Sequence, residues 1–168
     1  MPLAAALPGR FELEIASPGL TGAFDGVCGV DAAGFRVQLF PEVGGKVLDV
    51  TVGRDRIVAD LPGSHYEALA PFGSAEPHLA LVVAMLFAEL LAPVQAERVL
   101  GERLGAAGEV EVRLRPALAG VDVQALLGAD GAVRRYRCVL GWLDLTLDAD
   151  GTFTGRSVRG SVRVLGGG

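Results

Sequence analysis

The chain has 168 residues, of which 51% are hydrophobic and 21% are charged, and its net charge is −5. This composition excludes intrinsic disorder, and the negative charge argues against nucleic acid as the default partner. The longest uninterrupted apolar run, Leu79 to Ala88, is shorter than the ~20 residues that a membrane span needs. A single domain covering residues 1–168 is expected, since domains of ~100–200 residues are typical.

Period-two alternation of apolar and polar residues begins near the start of the chain. Phe11, Leu13 and Ile15 alternate with Glu12 and Glu14, which is typical of a strand with one buried face and one wet face. The same pattern recurs at residues 35–39, 110–114, 143–147 and 158–164. Turn signals separate such segments at residues 18–19, 31–34, 44–45, 130–131 and 150–151. We therefore expect five or six strands before residue 70 and about five after residue 107.

A helical region is expected between these two groups of strands, at about residues 75–105. Ser74 is a plausible N-cap. Residues 79–91 are apolar on nearly every face and are interrupted only by Glu89, which predicts a buried helix. Pro93 is expected to end or kink this helix.

A second, amphipathic helix is expected over residues 94–104. Leu100 and Leu104 would share one face, and Arg98 and Glu102 would pair on the surface at i,i+4 spacing. The order of strands, helix pair and strands predicts an α+β fold that is mainly β. Its sheet would be a strongly curved antiparallel sheet of about ten strands, an incomplete barrel with the helix pair covering its open side. The side chains expected to face the concave side are Leu79, Leu81, Val82, Met85, Leu86 and Leu90.

The two cysteines, Cys28 and Cys138, are far apart in sequence and leave two alternatives open. They form either a disulfide that closes a long loop or two buried thiols that act as small apolar side chains. Their spacing matches neither a zinc motif nor a redox motif.

Catalytic constellations are not recognisable in the sequence. His65 follows Ser64, but adjacent residues of a strand point to opposite faces and cannot readily form a nucleophile–base pair. Asp49, Asp55 and Asp60 form either a carboxylate cluster or, as we favour, the solvent face of a hairpin. We expect a protein that is not an enzyme and that needs no cofactor and no metal.

The layout resembles the bacterial lipoprotein-localisation family (LolA/LolB-like), which comprises a periplasmic carrier and an outer-membrane receptor. The opening residues 9–13 (GRFEL) are similar to the receptor's first strand, and residues 34–45 to the family's strand and glycine-bearing hairpin loop. Residues 91–94 (LAPV) resemble the family's helix pair, and residues 136–147 its last hairpins. The receptor's lipobox cysteine and its tryptophans near the helices are not visible here.

The resemblance implies a curved sheet with a helical lid over an apolar cavity that accepts the acyl chains of lipoproteins. It also implies a protruding loop that touches the membrane, which would correspond here to Phe40 and the following residues with Val43 at the tip. The location would be the periplasm or the inner face of the outer membrane, or the cytoplasm if no signal or lipid anchor has been removed.

The apolar helix, the missing catalytic groups and this layout together predict binding of a lipid or lipoprotein acyl chain. The expected cavity wall comprises Phe11, Leu13, Phe35, Val37, Leu81, Met85, Phe87, Val112 and Leu145. The alternative is a non-catalytic scaffold or interaction module whose core the helix fills completely. An internal apolar cavity would favour the first hypothesis, and its absence would favour the second.

Overall fold

The computed structural model describes residues 9–17, 19–31, 34–72, 78–91, 98–116, 118, 120–141 and 143–165. Within these residues, thirteen strands form one sheet and one α-helix accompanies it. The strands are β1 (Gly9–Ser17), β2 (Leu20–Asp31), β3 (Gly34–Phe40), β4 (Leu48–Gly53), β5 (Arg56–Leu61), β6 (Ser64–Leu69), β7 (Val99–Leu104), β8 (Val110–Leu114), β9 (Asp122–Leu127), β10 (Val133–Leu140), β11 (Leu143–Asp148), β12 (Thr152–Gly155) and β13 (Val158–Val164). The helix is α1 (Leu79–Leu91), and a 3-10 turn covers Ala106–Gly108.

The sheet consists of two meanders that meet at its centre. Strands β1 to β6 follow one another outward to one edge, and β7 to β13 start at the other edge and return inward. Strand β13 then pairs antiparallel with β1, so that Phe11 lies opposite Val164. Helix α1 lies in the connection between the two edge strands, β6 and β7.

Alternation of side chains gives each strand an inner and an outer face. On β1, Phe11, Leu13 and Ile15 are buried, whereas Glu12 and Glu14 lie on the opposite face. Acidic side chains of the outer face pair with arginines of neighbouring strands, as Asp144 does with Arg137 and Asp148 with Arg135. The outer face is thus polar and the inner face apolar, as the sequence pattern predicts.

The sheet curls around α1. The helix contacts β4 and β5 in one meander and β11 in the other. Six strand spacings separate β4 from β11 in the sheet order, which is roughly 29 Å in a flat sheet at ~4.8 Å per strand. A helix is only ~10–12 Å wide, so it reaches both meanders because the sheet bends toward it.

The predicted fold of about ten strands with an inserted helix pair is wrong. The structure has a single open antiparallel sheet of thirteen strands and one α-helix. Strands β7 and β12 account for most of the difference, since β7 lies where the second helix was expected and β12 is very short. Strand β12 has four residues and one buried side chain, Phe153, so no alternation could reveal it.

The second predicted helix, residues 94–104, is the other error. Residues 92–97 lie outside the described residues, but Val99–Leu104 is the edge strand β7, paired antiparallel with β8. The backbone N–H of Gly105 donates to the carbonyl of Glu109 (2.8 Å), which closes this hairpin. Residues at i and i+4 share a face in a strand as well as in a helix, so the spacing of Leu100 and Leu104 could not distinguish the two.

Candidate functional site

Helix α1 occupies the space enclosed by the sheet. No residue from Leu79 to Glu89 is more than 7% exposed. The aromatic ring of Phe87 packs on that of Phe11 from β1, with ring centroids 4.7 Å apart. A helix that is apolar all round can be buried in this way, since it has no polar stripe that must face water.

The predicted wall residues belong to one hydrophobic cluster. Eight of the nine are buried, and Phe35 is partly buried against the same cluster. The members are Phe11, Leu13, Phe35, Val37, Leu81, Met85, Phe87, Val112 and Leu145. Of the six side chains expected on the concave side, Leu79, Leu81, Val82, Met85 and Leu86 are buried in this cluster. The side chain of Leu90 lies outside the described residues.

The helix and the sheet pack against each other in this region. Fully buried side chains come from both, including Phe11 and Leu13 of the sheet and Leu81 and Phe87 of the helix. A cleft of about 650 Å³ lies elsewhere, among β1, β2, β12 and β13, and its lining includes Glu14, Thr152 and Arg159. None of the nine predicted wall residues lines that cleft. In this arrangement α1 itself occupies the region where the sequence predicted an apolar cavity.

One charged side chain of α1 lies within this apolar interior. Glu89 is 3% exposed, and its Oε2 atom accepts a hydrogen bond from Nη2 of Arg98 at 3.0 Å. The Arg98 side chain is 15% exposed, so the pair lies where the interior approaches solvent. Arg98 was expected to pair with Glu102; it pairs instead with Glu89, because it precedes a strand rather than lying on a helix.

The Glu89 carboxylate also affects the inner face of β10. Burial raises the pKa of Tyr136 to about 12, and the negative charge of Glu89 adds to this effect. The same two causes, burial first, raise the pKa of Cys138 far above its usual range. The positive charge of Arg98 acts in the opposite direction on both groups. The only sequence signal for this pair is a lone carboxylate in an apolar helix, because such a group requires a buried partner.

The other end of α1 is held by His78. Its ring stacks on that of Tyr66 from β6, with centroids 4.1 Å apart and planes 15° apart. Its Nδ1 atom accepts a hydrogen bond from the backbone N–H of Ala80 (3.0 Å), in the first turn of the helix. Burial lowers the pKa of His78, which favours the neutral ring that can accept this bond.

The two cysteines are free and buried. Cys28 lies on β2 and Cys138 on β10, both on the inner face. Burial raises the pKa of the Cys28 thiol to about 11. The structure therefore selects the second alternative, two buried thiols, over a disulfide.

Further polar groups that could carry chemistry lie on the outer face. Asp49 accepts hydrogen bonds from Nε of Arg36 (2.8 Å) and Nζ of Lys46 (2.7 Å), and the Arg36 hydrogen bond keeps the pKa of its carboxyl far below the usual range. Asp60 lies 2.7 Å from Nδ1 of His65 on the neighbouring strand. Among the described residues, no group of three or more His, Cys, Asp or Glu side chains could hold a metal ion.

The loop predicted to touch a membrane connects β3 to β4. Phe40, the last residue of β3, is half-buried, whereas Val43 is 87% exposed. In the part of the chain described here, no helix combines the length and apolar character that a membrane crossing requires.

Comparison with known proteins gives no relative: no protein-family model matches the chain, and no curated protein matches it in sequence. The resemblance to the lipoprotein-localisation family stays a prediction that rests on the residues quoted above.

Proposed function

We propose that the protein is a non-catalytic carrier or receptor that binds the acyl chain of a lipid or lipoprotein against the inner face of its sheet. Helix α1 is the lid and moves aside to admit the chain. The observation that carries this proposal is the helix itself, which is buried on all faces from Leu79 to Glu89 although it lies inside a sheet that is open between β6 and β7. An acyl chain offers the sheet the same kind of surface as this helix.

The free energies involved favour a chain that replaces contacts of α1 over one that binds in addition to the packed helix. Burial of an acyl chain gains ~0.8 kcal/mol per methylene, or roughly 12 kcal/mol for about fifteen methylenes. Association and ordering consume several kcal/mol of that gain. The remainder can offset the exposure of only part of α1, because each large apolar side chain of the helix loses ~1.5–3 kcal/mol on exposure. A chain would therefore bind where some helix contacts are given up, and binding would stay reversible.

The proposal includes the cellular context that the family resemblance implies. The protein would act in the periplasm or at the inner face of the outer membrane, and the loop that carries Val43 would make a peripheral contact with the lipid surface. The strong exposure of Val43, 87%, supports that contact. Substitution of Val43 by Glu should then weaken co-sedimentation with lipid vesicles without changing the melting temperature.

Titration with cis-parinaric acid, a fluorescent fatty acid, tests the binding site directly. We expect saturable binding by the wild type. Leu145 points inward from β11 and is 1% exposed, so Leu145→Ala should weaken binding roughly 30-fold by removing ~2 kcal/mol of apolar contact. The neighbouring Thr146 lies on the outer face, and Thr146→Ala is the matched control with unchanged affinity. Equal affinity of both variants would place the ligand elsewhere.

The second candidate is an interaction module with a filled core. The present arrangement favours this candidate, because α1 packs against the inner face where a cavity was expected and the Phe11 and Phe87 rings are in contact. The first candidate therefore requires that α1 leave this position. Hydrogen exchange of the α1 amides separates the two candidates. A lid opens with a free energy below that of global unfolding, whereas a helix that is a permanent core element exchanges only when the whole domain unfolds.

A further inference from the structure

The Glu89–Arg98 ion pair joins a residue of the proposed lid, Glu89, to a residue at the edge of the sheet, Arg98. Glu89 is the single charged residue of α1 and is carried by the lid. Arg98 belongs to the sheet edge: its Nε and Nη2 atoms donate to the carbonyl oxygen of Arg115 at 3.2 and 3.0 Å. The backbone of Arg115 in turn donates to the carbonyl of Arg98 (2.6 Å). These contacts tie the Arg98 guanidinium to Arg115, which follows β8, and they do not involve α1.

Stability alone is a weak reason for this pair. A buried ion pair usually contributes no more than well-packed apolar residues of similar volume, because both charges lose their hydration. The pair also lies at one end of an interior that is otherwise apolar, with the Arg98 side chain 15% exposed and the Glu89 side chain 4% exposed. With α1 displaced, the Arg98 guanidinium would lie at one end of an apolar surface, an arrangement that suits an amphiphile with an anionic headgroup.

On the premise of the proposed lid, we propose that Arg98 is the receptor for the carboxylate of a free fatty acid, and that the Glu89 carboxylate occupies that position in the closed protein. The ligand carboxylate replaces that of Glu89 on Nη2 of Arg98 as its chain replaces α1. Within the proposed function, this selects a free fatty acid over a lipoprotein, whose acyl chains are bound as esters or amides and carry no free carboxylate. The ligand carboxylate that Arg98 recognises is therefore the same group that releases the Glu89 latch.

Binding of cis-parinaric acid and of its methyl ester at pH 8 tests this assignment, because the two ligands differ only in the headgroup charge. The wild type should bind the acid roughly 10- to 100-fold more tightly than the ester, the usual range for hydrogen bonds to charged groups. Arg98→Gln should reduce this ratio to about one. Glu89→Gln should strengthen binding of both ligands by the same factor and leave the ratio unchanged, since it removes the charge of the latch and keeps Arg98.

The double variant Glu89→Gln/Arg98→Gln removes both charges together, and it remains informative if Arg98→Gln alone leaves Glu89 unpaired and fails to fold. It too should bind acid and ester equally. The matched control is Arg137→Gln/Asp144→Asn, which removes a similar pair from the outer face, where Nη2 and Oδ2 are 2.7 Å apart, and should keep the wild-type ratio.

Equal binding of acid and ester by the wild type would overturn the assignment of Arg98 but not the proposed function. An unchanged ratio in the double variant would do the same. The absence of saturable binding of either ligand would overturn the proposed function and, with it, this assignment.

Discussion

Substitution of Gly26 by Ala should destabilise the protein by displacing one aromatic ring. Gly26 lies on β2 directly opposite Phe11 of β1. A Cβ atom at Gly26 would overlap the Cζ and Cε2 atoms of the Phe11 ring and lie 2.7 Å from its Cε1 atom. The ring is fully buried and packs on Phe87 of α1, so it has no free space to enter.

The magnitude follows from two contributions. Overpacking of a closed core costs ~1–3 kcal/mol, and loss of the aromatic contact with Phe87 costs a further ~0.5–1.5 kcal/mol. We expect a loss of roughly 2–4 kcal/mol in the free energy of unfolding, measured by urea denaturation. In a domain of this size that corresponds to a fall of roughly 4–16 °C in melting temperature.

Two further variants make the reasoning refutable. Gly29, on the same strand, has nothing within 4 Å of an added Cβ, so Gly29→Ala should leave stability within ~0.5 kcal/mol of the wild type. Phe11→Leu removes the overlapping ring atoms, and the double variant Gly26→Ala/Phe11→Leu should lose at least ~1 kcal/mol less than the sum of the single variants. A stable Gly26→Ala protein, or strictly additive losses, would show that the ring does not lie over β2.

Three other predictions follow from the interior. Leu86→Ala should cost ~2–5 kcal/mol in denaturant unfolding, because Leu86 is 1% exposed; a loss below 1 kcal/mol would mean that α1 spends much of its time outside the sheet. Two thiols, Cys28 and Cys138, should react with Ellman's reagent in guanidinium without a reductant and only slowly in the native protein; no reactive thiol after unfolding would indicate a disulfide. Because the pKa of His78 is lowered in the folded protein, the His78 ring binds a proton more readily in the unfolded chain. The free energy of unfolding should therefore be highest above pH ~6.5 and decline as the pH falls below that value. His78→Asn keeps a hydrogen-bond acceptor without this titration and should flatten the decline, and an unchanged pH profile would count against the role of the neutral ring.

The sequence predicted the faces of the strands better than their number. Alternation over five residues, as in Phe11 to Ile15, identifies a strand and its buried side with no reference to the rest of the chain. Strand β12 is too short to show a period. On β7 neither face is buried, since every residue from Leu100 to Leu104 is exposed. A pattern that depends on burial cannot detect a strand whose side chains are not buried.

The interior was predictable in composition but not in its contacts. The apolar segment from Leu79 to Leu91 identified a buried helix, and the predicted wall residues do belong to one cluster. The partner of Glu89 was not predictable, because Arg98 reaches it only after the chain turns from α1 into β7. A wrong helix assignment for residues 94–104 gave Arg98 a local partner, and that local partner concealed the buried one.

The pairing of β1 with β13 also has a consequence for how the chain folds. Every other pairing in the sheet joins strands that are consecutive in sequence, so each meander can form from hairpins with small loop-closure cost. The contact between Glu12 and Arg163, 151 residues apart, instead joins the two meanders, and we expect it to form after each of them has formed. Joining the chain near Arg10 to the chain near Leu165, whose N–H donates to the Arg10 carbonyl at 3.0 Å, would turn that pairing into one more hairpin. A circular permutant made in this way should reach the native state faster than the natural order of strands does.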